Sequence, residues 1–418
     1  METNPRILFV TFSPPVPTTH GGCQRTNLLL RALQSYGDVE MMLLRGPARL
    51  DPEVRRTMEE DFGLVAGFEL STAGMQRPWR WFRPLRAPLV DKMAHNLGRR
   101  QADYRPDAAP LEWIRQRTAT RPYDVIVGRY LRPTVKSGAL NFSPVVVDVD
   151  DLDYRVYETR ANLPDQTWLS RIIMNRQAHQ LRQLIPSLLR AATHVWYTNE
   201  ADQKRMPHPS ASILPNIPFV KRGEPTVSIC PFTKDNQTIL FVGTLSFAPN
   251  ARGIDRFVER VWPQIFAARP ETRFRVVGGG MSQNQRRRWA QVPGVEPVGF
   301  VDDLREAYAS CLFTVAPLFE GGGTKIKVLE SYRFGRACLA TRHSHVGFAQ
   351  ALPANEAVMV AESDADLAGR AIQMLGDPLR CQAMAERGAA NVARWFSYSE
   401  FERIVHDTLD HLLKRQHK

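Results

Sequence analysis

The chain has 418 residues, more than one hydrophobic core usually supports, so two α/β domains are the default expectation. A hydrophobic fraction of 43% and a charged fraction of 23% exclude a largely disordered or fibrous chain. The net charge of +12 suits an anionic partner, but no zinc-finger, RNP or helix-turn-helix signature accompanies it, so nucleic acid is not expected.

In chain order, Arg6 to Phe12 is a β-rich run, followed by a Pro/Thr/Gly loop and an apolar-periodic stretch from Gln24 to Tyr36: strand, glycine loop, helix. Asp38 to Leu44 reads as a strand, and Tyr123 to Val127 and Val145 to Val149 as buried parallel strands. Trp168 to Ala192 is a long amphipathic stretch, His194 to Thr198 a strand, and Pro207 to Asn236 a Pro-, Ser- and Lys-rich linker. Strand and helix signals then alternate afresh: Thr238 to Val242, Ile254 to Ala268, Arg273 to Val277, Arg286 to Gln291, Leu312 to Ala316, Ile326 to Phe334 and Ala337 to Ala340. From Asp364 onward the pattern is helical, with interruptions near Pro378 and Phe396.

No apolar run approaches the roughly 18 residues that span a bilayer, and the first residues lack a signal cleavage site, so a cytoplasmic protein is expected. The five cysteines are widely spaced and read as reduced, buried hydrophobes. Gln76 to Arg100 interleaves seven basic residues with Trp79, Trp81 and Phe82, which reads either as a dock for an anionic membrane surface or as a surface connection packed on the core.

The string EGGGTKIKVLE, from Glu320 to Glu330, carries chemistry of its own. A strand ending at Pro317, glycines Gly321, Gly322 and Gly323, then Thr324 and a helix put free N–H groups and a helix N-terminus beside Lys325 and Lys327, an anion site. Glu330, in an apolar context, reads either as a helix-surface Glu or as a carboxylate that could accept hydrogen bonds from a ligand diol.

Three stretches together resemble the family 4 glycosyltransferases of the GT-B fold: Gly21-Gly22 with the helix after it, Phe241-Val242-Gly243, and Gly299-Phe300-Val301 through EGGGTKIKVLESYRFGRACLAT. The resemblance covers most of the chain. It implies two Rossmann-like doubly wound domains facing across a cleft: residues 1–215 for the acceptor, a linker at 216–236, a donor domain at 237–395, and a C-terminal helix at 396–418 that packs back toward the first. It also implies transfer of a sugar from a nucleotide-diphosphate sugar to a glycan, lipid-linked or small-molecule acceptor, with retention, in bacterial cell-surface glycan synthesis. Gly22, Gly243, Phe300 and Val301 would then join the donor contacts, although Phe300 also reads as plain core.

The chain departs from the family pattern at several positions. Gly322 stands where a first motif Glu is usual, so either Glu320 reaches the sugar or the glycine backbone alone binds it. Thr244 replaces the usual Arg after Gly243, which leaves Arg252, Lys325 or Lys327 to neutralise the diphosphate, Lys327 first among them. Asp150 and Asp151 occupy the positions of a His-Asp pair, making Asp150 a candidate contact to donor sugar or acceptor hydroxyl, or a base. The DVDD string also resembles a metal-binding Asp-x-Asp, but two Rossmann halves with a cationic phosphate site need no metal, and neither metal nor cofactor is expected. A nicotinamide-dependent oxidoreductase and a non-catalytic sugar-nucleotide binder are the rival readings; the first lacks a full G-x-G-x-x-G.

Overall fold

The computed structural model describes residues 4–45, 50–69, 104–162, 166–321 and 323–416. It divides into two compact units, Met1–Leu214 with Ile404–Lys418, and Pro215–Arg403. Gly322 and the basic, aromatic stretch from Gln76 to Arg100 lie outside the described residues.

In the first unit β1 (Arg6–Thr11), β2 (Asp38–Leu43), β3 (Leu64–Gly67), β4 (Val125–Arg129), β5 (Val145–Val149), β6 (His194–Tyr197) and β7 (Ala211–Ile213) form one parallel sheet, ordered 3-2-1-4-5-6-7. The central strands β1, β4 and β5 are buried at every position, as helices on both faces require. Edge strands have no such need. Accordingly β7 hides in the Pro- and Ser-rich segment that reads as linker, and from Pro215 on that segment belongs to the second unit, where Ser228 N donates to Arg333 O and Cys230 N to Phe334 O.

The second unit holds β8 (Thr238–Val242), β9 (Arg273–Val277), β10 (Val295–Gly299), β11 (Phe313–Ala316), β12 (Ala337–Thr341) and β13 (Met359–Ala361), again parallel and ordered 10-9-8-11-12-13. Both units therefore have the doubly wound order, with a switch point between β1 and β4 in one and between β8 and β11 in the other. The expected fold class is what the structure shows. Pro297 sits inside β10, a position a proline tolerates because β10 is an edge strand. The helical stretch expected from Ile254 begins at Ala248, where Pro249 suits a first turn, and passes through a π-helical turn at Phe257–Val261 before ending at Ala268.

The tail forms helices Asp364–Gly376, Pro378–Trp395 and Tyr398–Gln416. The last one closes the core of the first unit: Trp196 Nε1 donates to Thr408 Oγ1 at 3.1 Å, and the Tyr36 hydroxyl to Asp410 at 2.7 Å. Val405 and Leu409 are fully buried there. All five cysteines are reduced and buried. Among the described residues no helix is long and apolar enough to cross a membrane.

Candidate functional site

In the second unit the chain leaves β11, passes Glu320 to Lys325 and enters the helix Ile326–Arg333 at the carboxyl end of the sheet, beside the switch point. Gly321 and Gly323 have φ of 98° and 69°, a region that side chains rarely adopt, so the loop shape demands glycine. Two side chains fasten it. Lys325 Nζ donates to Gly321 O at 2.9 Å and to Gly323 O at 2.7 Å, while His343 Nε2 lies 3.0 Å from Gly321 O. The helix Ala248–Arg256 comes close because Gly253 has no side chain: a Cβ there would stand 2.5 Å from Pro317 O.

The three expected phosphate cations thus have different surroundings. Lys325 is tied to loop carbonyls, and Arg252 pairs with Glu320, so these two shape the loop. That pairing also occupies the carboxylate expected to reach the sugar. Lys327 meets a neutral partner instead, donating to Asn250 Oδ1 at 2.9 Å, with its Nζ 5.3 Å from the Phe241 ring centre. Burial brings its ammonium down to about 8, against the pull of Glu330 and with a push from Lys325. Asn250, which the sequence reading overlooked, is buried and also donates to Thr244 O at 2.7 Å, locking the loop after β8 onto Lys327. Gly243 belongs to the same contact, since a Cβ there would stand 3.2 Å from Lys327 Cε.

Two polar side chains of the same loop and helix make no side-chain hydrogen bond among the described residues. Thr324 Oγ1 is buried with no hydrogen-bond partner among the described residues. The half-buried Glu330 makes no side-chain hydrogen bond there either, and burial raises its carboxyl pKa, with Lys327 and Arg333 pulling it back. A fixed loop, a helix N-terminus without a side-chain cap, a cation and two waiting polar groups can hold an anion with a diol attached. Phe300, just past β10, is 72% exposed and so is not core, whereas Val301 packs partly buried against the cluster around Tyr308. Phe247, also exposed, leads into the helix Ala248–Arg256 near Gly321.

In the first unit Gly22 lies in the first turn of the helix Gly21–Gln34, and Asp150 just past β5. The sequence reading overlooked what joins them. Arg129, fully buried at the end of β4, donates through Nη2 to Gly22 O at 3.3 Å and Asp150 Oδ2 at 3.0 Å, and through Nη1 to Asp148 Oδ2 at 2.8 Å. Arg25 chelates the same Asp148 through both oxygens, at 2.6 and 3.0 Å. Asp148 is completely buried, and two guanidinium groups balance the two carboxylates. The Asp-x-Asp string is therefore engaged by arginines, a poor fit for a cation site. Beside it Cys23 Sγ lies 3.1 Å from His20 Nε2, and burial raises the thiol pKa.

Residues 236–377 match the family model described as "Glycosyl transferases group 1". No curated protein sequence matches the chain significantly. Among solved structures, the sucrose-phosphate synthase of Thermosynechococcus elongatus superposes with a TM-score of 0.67 at 16% identity, covering 99% of this chain and 100% of its own. Anabaena HepE in complex with UDP and glucose gives 0.62 at 11% identity, covering 97% and 99%. WaaG, a glycosyltransferase involved in lipopolysaccharide biosynthesis, gives 0.55 at 13% identity, covering 97% and 99%. At these identities the structures share the two-unit GT-B fold with this chain. Together with the family match, they support glycosyl transfer.

Proposed function

We propose that the protein moves a sugar from a nucleotide-diphosphate donor to an acceptor hydroxyl, with retention of anomeric configuration and without a metal. The observation that carries this reading is the fastened glycine loop at the second switch point, beside Lys327 on its neutral partner Asn250, with the buried Thr324 hydroxyl unpartnered among the described residues and the Glu330 carboxyl raised by burial. The diphosphate would lie on Gly321 to Thr324 and the helix N-terminus, with Lys327 neutralising charge that grows as the glycosidic bond breaks. Glu330 would take the ribose diol, and the exposed Phe300 with Val301 would meet the base. The departing diphosphate would draw the acceptor proton on the face it leaves, so the protein's own work is positioning and charge stabilisation. Glu320 would release Arg252 to the phosphates when the donor arrives.

UDP is the first base to try, because it occupies the Anabaena neighbour. Calorimetric titration with UDP-, GDP- and ADP-sugars tests the reading, together with slow donor hydrolysis in the absence of acceptor. Binding of one class, weakened by Lys327→Met, is expected. No binding by any of the three overturns the donor site, and binding without hydrolysis or transfer would leave a sugar-nucleotide-binding protein.

A further inference from the structure

Asn250 meets two partners that ask opposite things of one side chain, because Thr244 O only accepts a hydrogen bond and the Lys327 ammonium only donates. A carboxamide satisfies both. Its Nδ2 donates to Thr244 O at 2.7 Å and its Oδ1 accepts from Lys327 Nζ at 2.9 Å, in a side chain only 5% exposed. Gly243 leaves room for the pair, since a Cβ there would stand 3.0 Å from Asn250 Nδ2 and 3.2 Å from Lys327 Cε.

The Thr244 end of this bridge is fixed to the sheet. Gly243 N donates to Val277 O at 3.0 Å and Leu245 N to Gly279 O at 2.7 Å, so the loop after β8 is bound to the end of β9 on both sides of Thr244. Asn250 is pinned in turn, its own N–H donating to Phe247 O at 3.0 Å. Lys327, by contrast, sits in the first turn of its helix on a flexible stem. Through Asn250 its ammonium is placed by the strand ends rather than by that stem. The partner is also neutral, so it spends none of the lysine's charge. A carboxylate in its place would hold the ammonium as an ion pair and would turn an oxygen toward Thr244 O.

We infer that Asn250 is a positioning residue, which aims the Lys327 ammonium from the strand ends and leaves its charge to the donor diphosphate; this rests on the glycosyl-transfer reading above. The phosphate oxygens then receive a lysine that is already directed, and they replace a neutral acceptor with an anionic and stronger one. The other titratable groups facing Lys327 are Glu330 on its own helix, Lys325 at the helix start and the Cys338 thiol of β12, which burial pushes up to about 11 and so keeps neutral around the midpoint of Lys327. A substitution of Asn250 alters none of these three, so a shift in the titration of Lys327 reports the partner of its Nζ.

The test pairs Asn250→Asp with Asn250→Ala in the full-length chain. Carbon NMR of protein labelled at lysine Cε follows the titration of Lys327, whose signal is the one lost in Lys327→Met, and calorimetry measures UDP-sugar affinity over the same pH range. Aspartate, an anionic acceptor, is expected to raise the Lys327 midpoint by about one pH unit or more, and alanine, which removes an acceptor of the charged form, to lower it. Both should weaken UDP-sugar binding about fivefold or more at neutral pH. Asn250→Ser, too short to bridge both partners, replaces alanine should that variant not fold, with the same outcome expected. A residue that only supports the fold would lower the melting temperature and leave the midpoint in place, so an unmoved midpoint, or wild-type affinity in both variants, overturns the inference. Absence of UDP-sugar binding in the wild-type chain strikes the donor reading and this inference with it, whereas unmoved midpoints in a chain that binds the donor strike Asn250 alone.

Discussion

Lys327 concentrates the chemistry of the second unit in one ammonium group. Its pKa of about 8 means that it is charged below that pH and increasingly neutral above it in the unliganded protein. A UDP-sugar keeps the same diphosphate charge across this range, so its affinity should hold below pH 8 and fall toward about tenfold per pH unit above it. Titration over about 3 pH units centred near 8 would show the break, and Lys327→Met should bind weakly with no break at all. A wild-type profile without a break would remove Lys327 from the phosphates. Glu330 is the matching case on the diol side. Glu330→Gln should lose about 1.5–3 kcal/mol of donor binding while unfolding much as the wild type does, because no described side chain hydrogen-bonds its carboxylate.

At the scale of the element, the glycine loop of the proposed donor site would act through its shape as much as through its charges. A side chain at Gly321, with φ 98° and Pro249 only 3.2 Å from the added Cβ, must distort the loop that Lys325 and His343 fasten. Gly223 offers the control, since it has φ 82° and open space around it. Alanine at either position should cost roughly 1 kcal/mol or somewhat more in stability through backbone strain. Only Gly321→Ala should also weaken the UDP-sugar, by about tenfold or more, since only that loop carries the N–H groups the phosphates would use. Denaturant unfolding and calorimetry on both variants separate the two effects, and equal donor affinity in both would exclude a shape-dependent loop.

At the scale of the molecule, the C-terminal helix from Ile404 onward is a structural part of the first unit despite arriving last in the chain. Leu409→Ala, at a position with no exposure, should cost about 2–5 kcal/mol. Thr408→Val keeps the shape but strands the buried indole N–H of Trp196, at about 1–3 kcal/mol. Both changes should appear in the unfolding transition of the first unit and leave UDP-sugar affinity as it is, because the donor loop belongs to the other unit. With two separate cores, unfolding is to be followed by more than one probe. Unchanged stability in Leu409→Ala would mean that the helix does not close that core.

The doubly wound halves, the central strands, and the strand, glycine loop and helix of the proposed donor site were legible in the sequence alone. Those features are local: burial on both faces writes Val145 to Val149 as one apolar run, and a left-handed loop leaves glycines at Gly321 and Gly323. Edge strands such as β7 and β10 were hidden, because a strand with one neighbour needs no apolar run and tolerates Pro297. Whether Phe300 was core or surface was likewise open in the sequence, and burial decided it. The sequence also named the charged residues without naming their partners. Only the tertiary structure put Lys327 on Asn250, 77 residues away, Arg25 on Asp148, 123 away, and Arg129 beneath Tyr130. A charge's partner depends on which strand ends the fold brings together, and neither periodicity nor spacing along the chain encodes that.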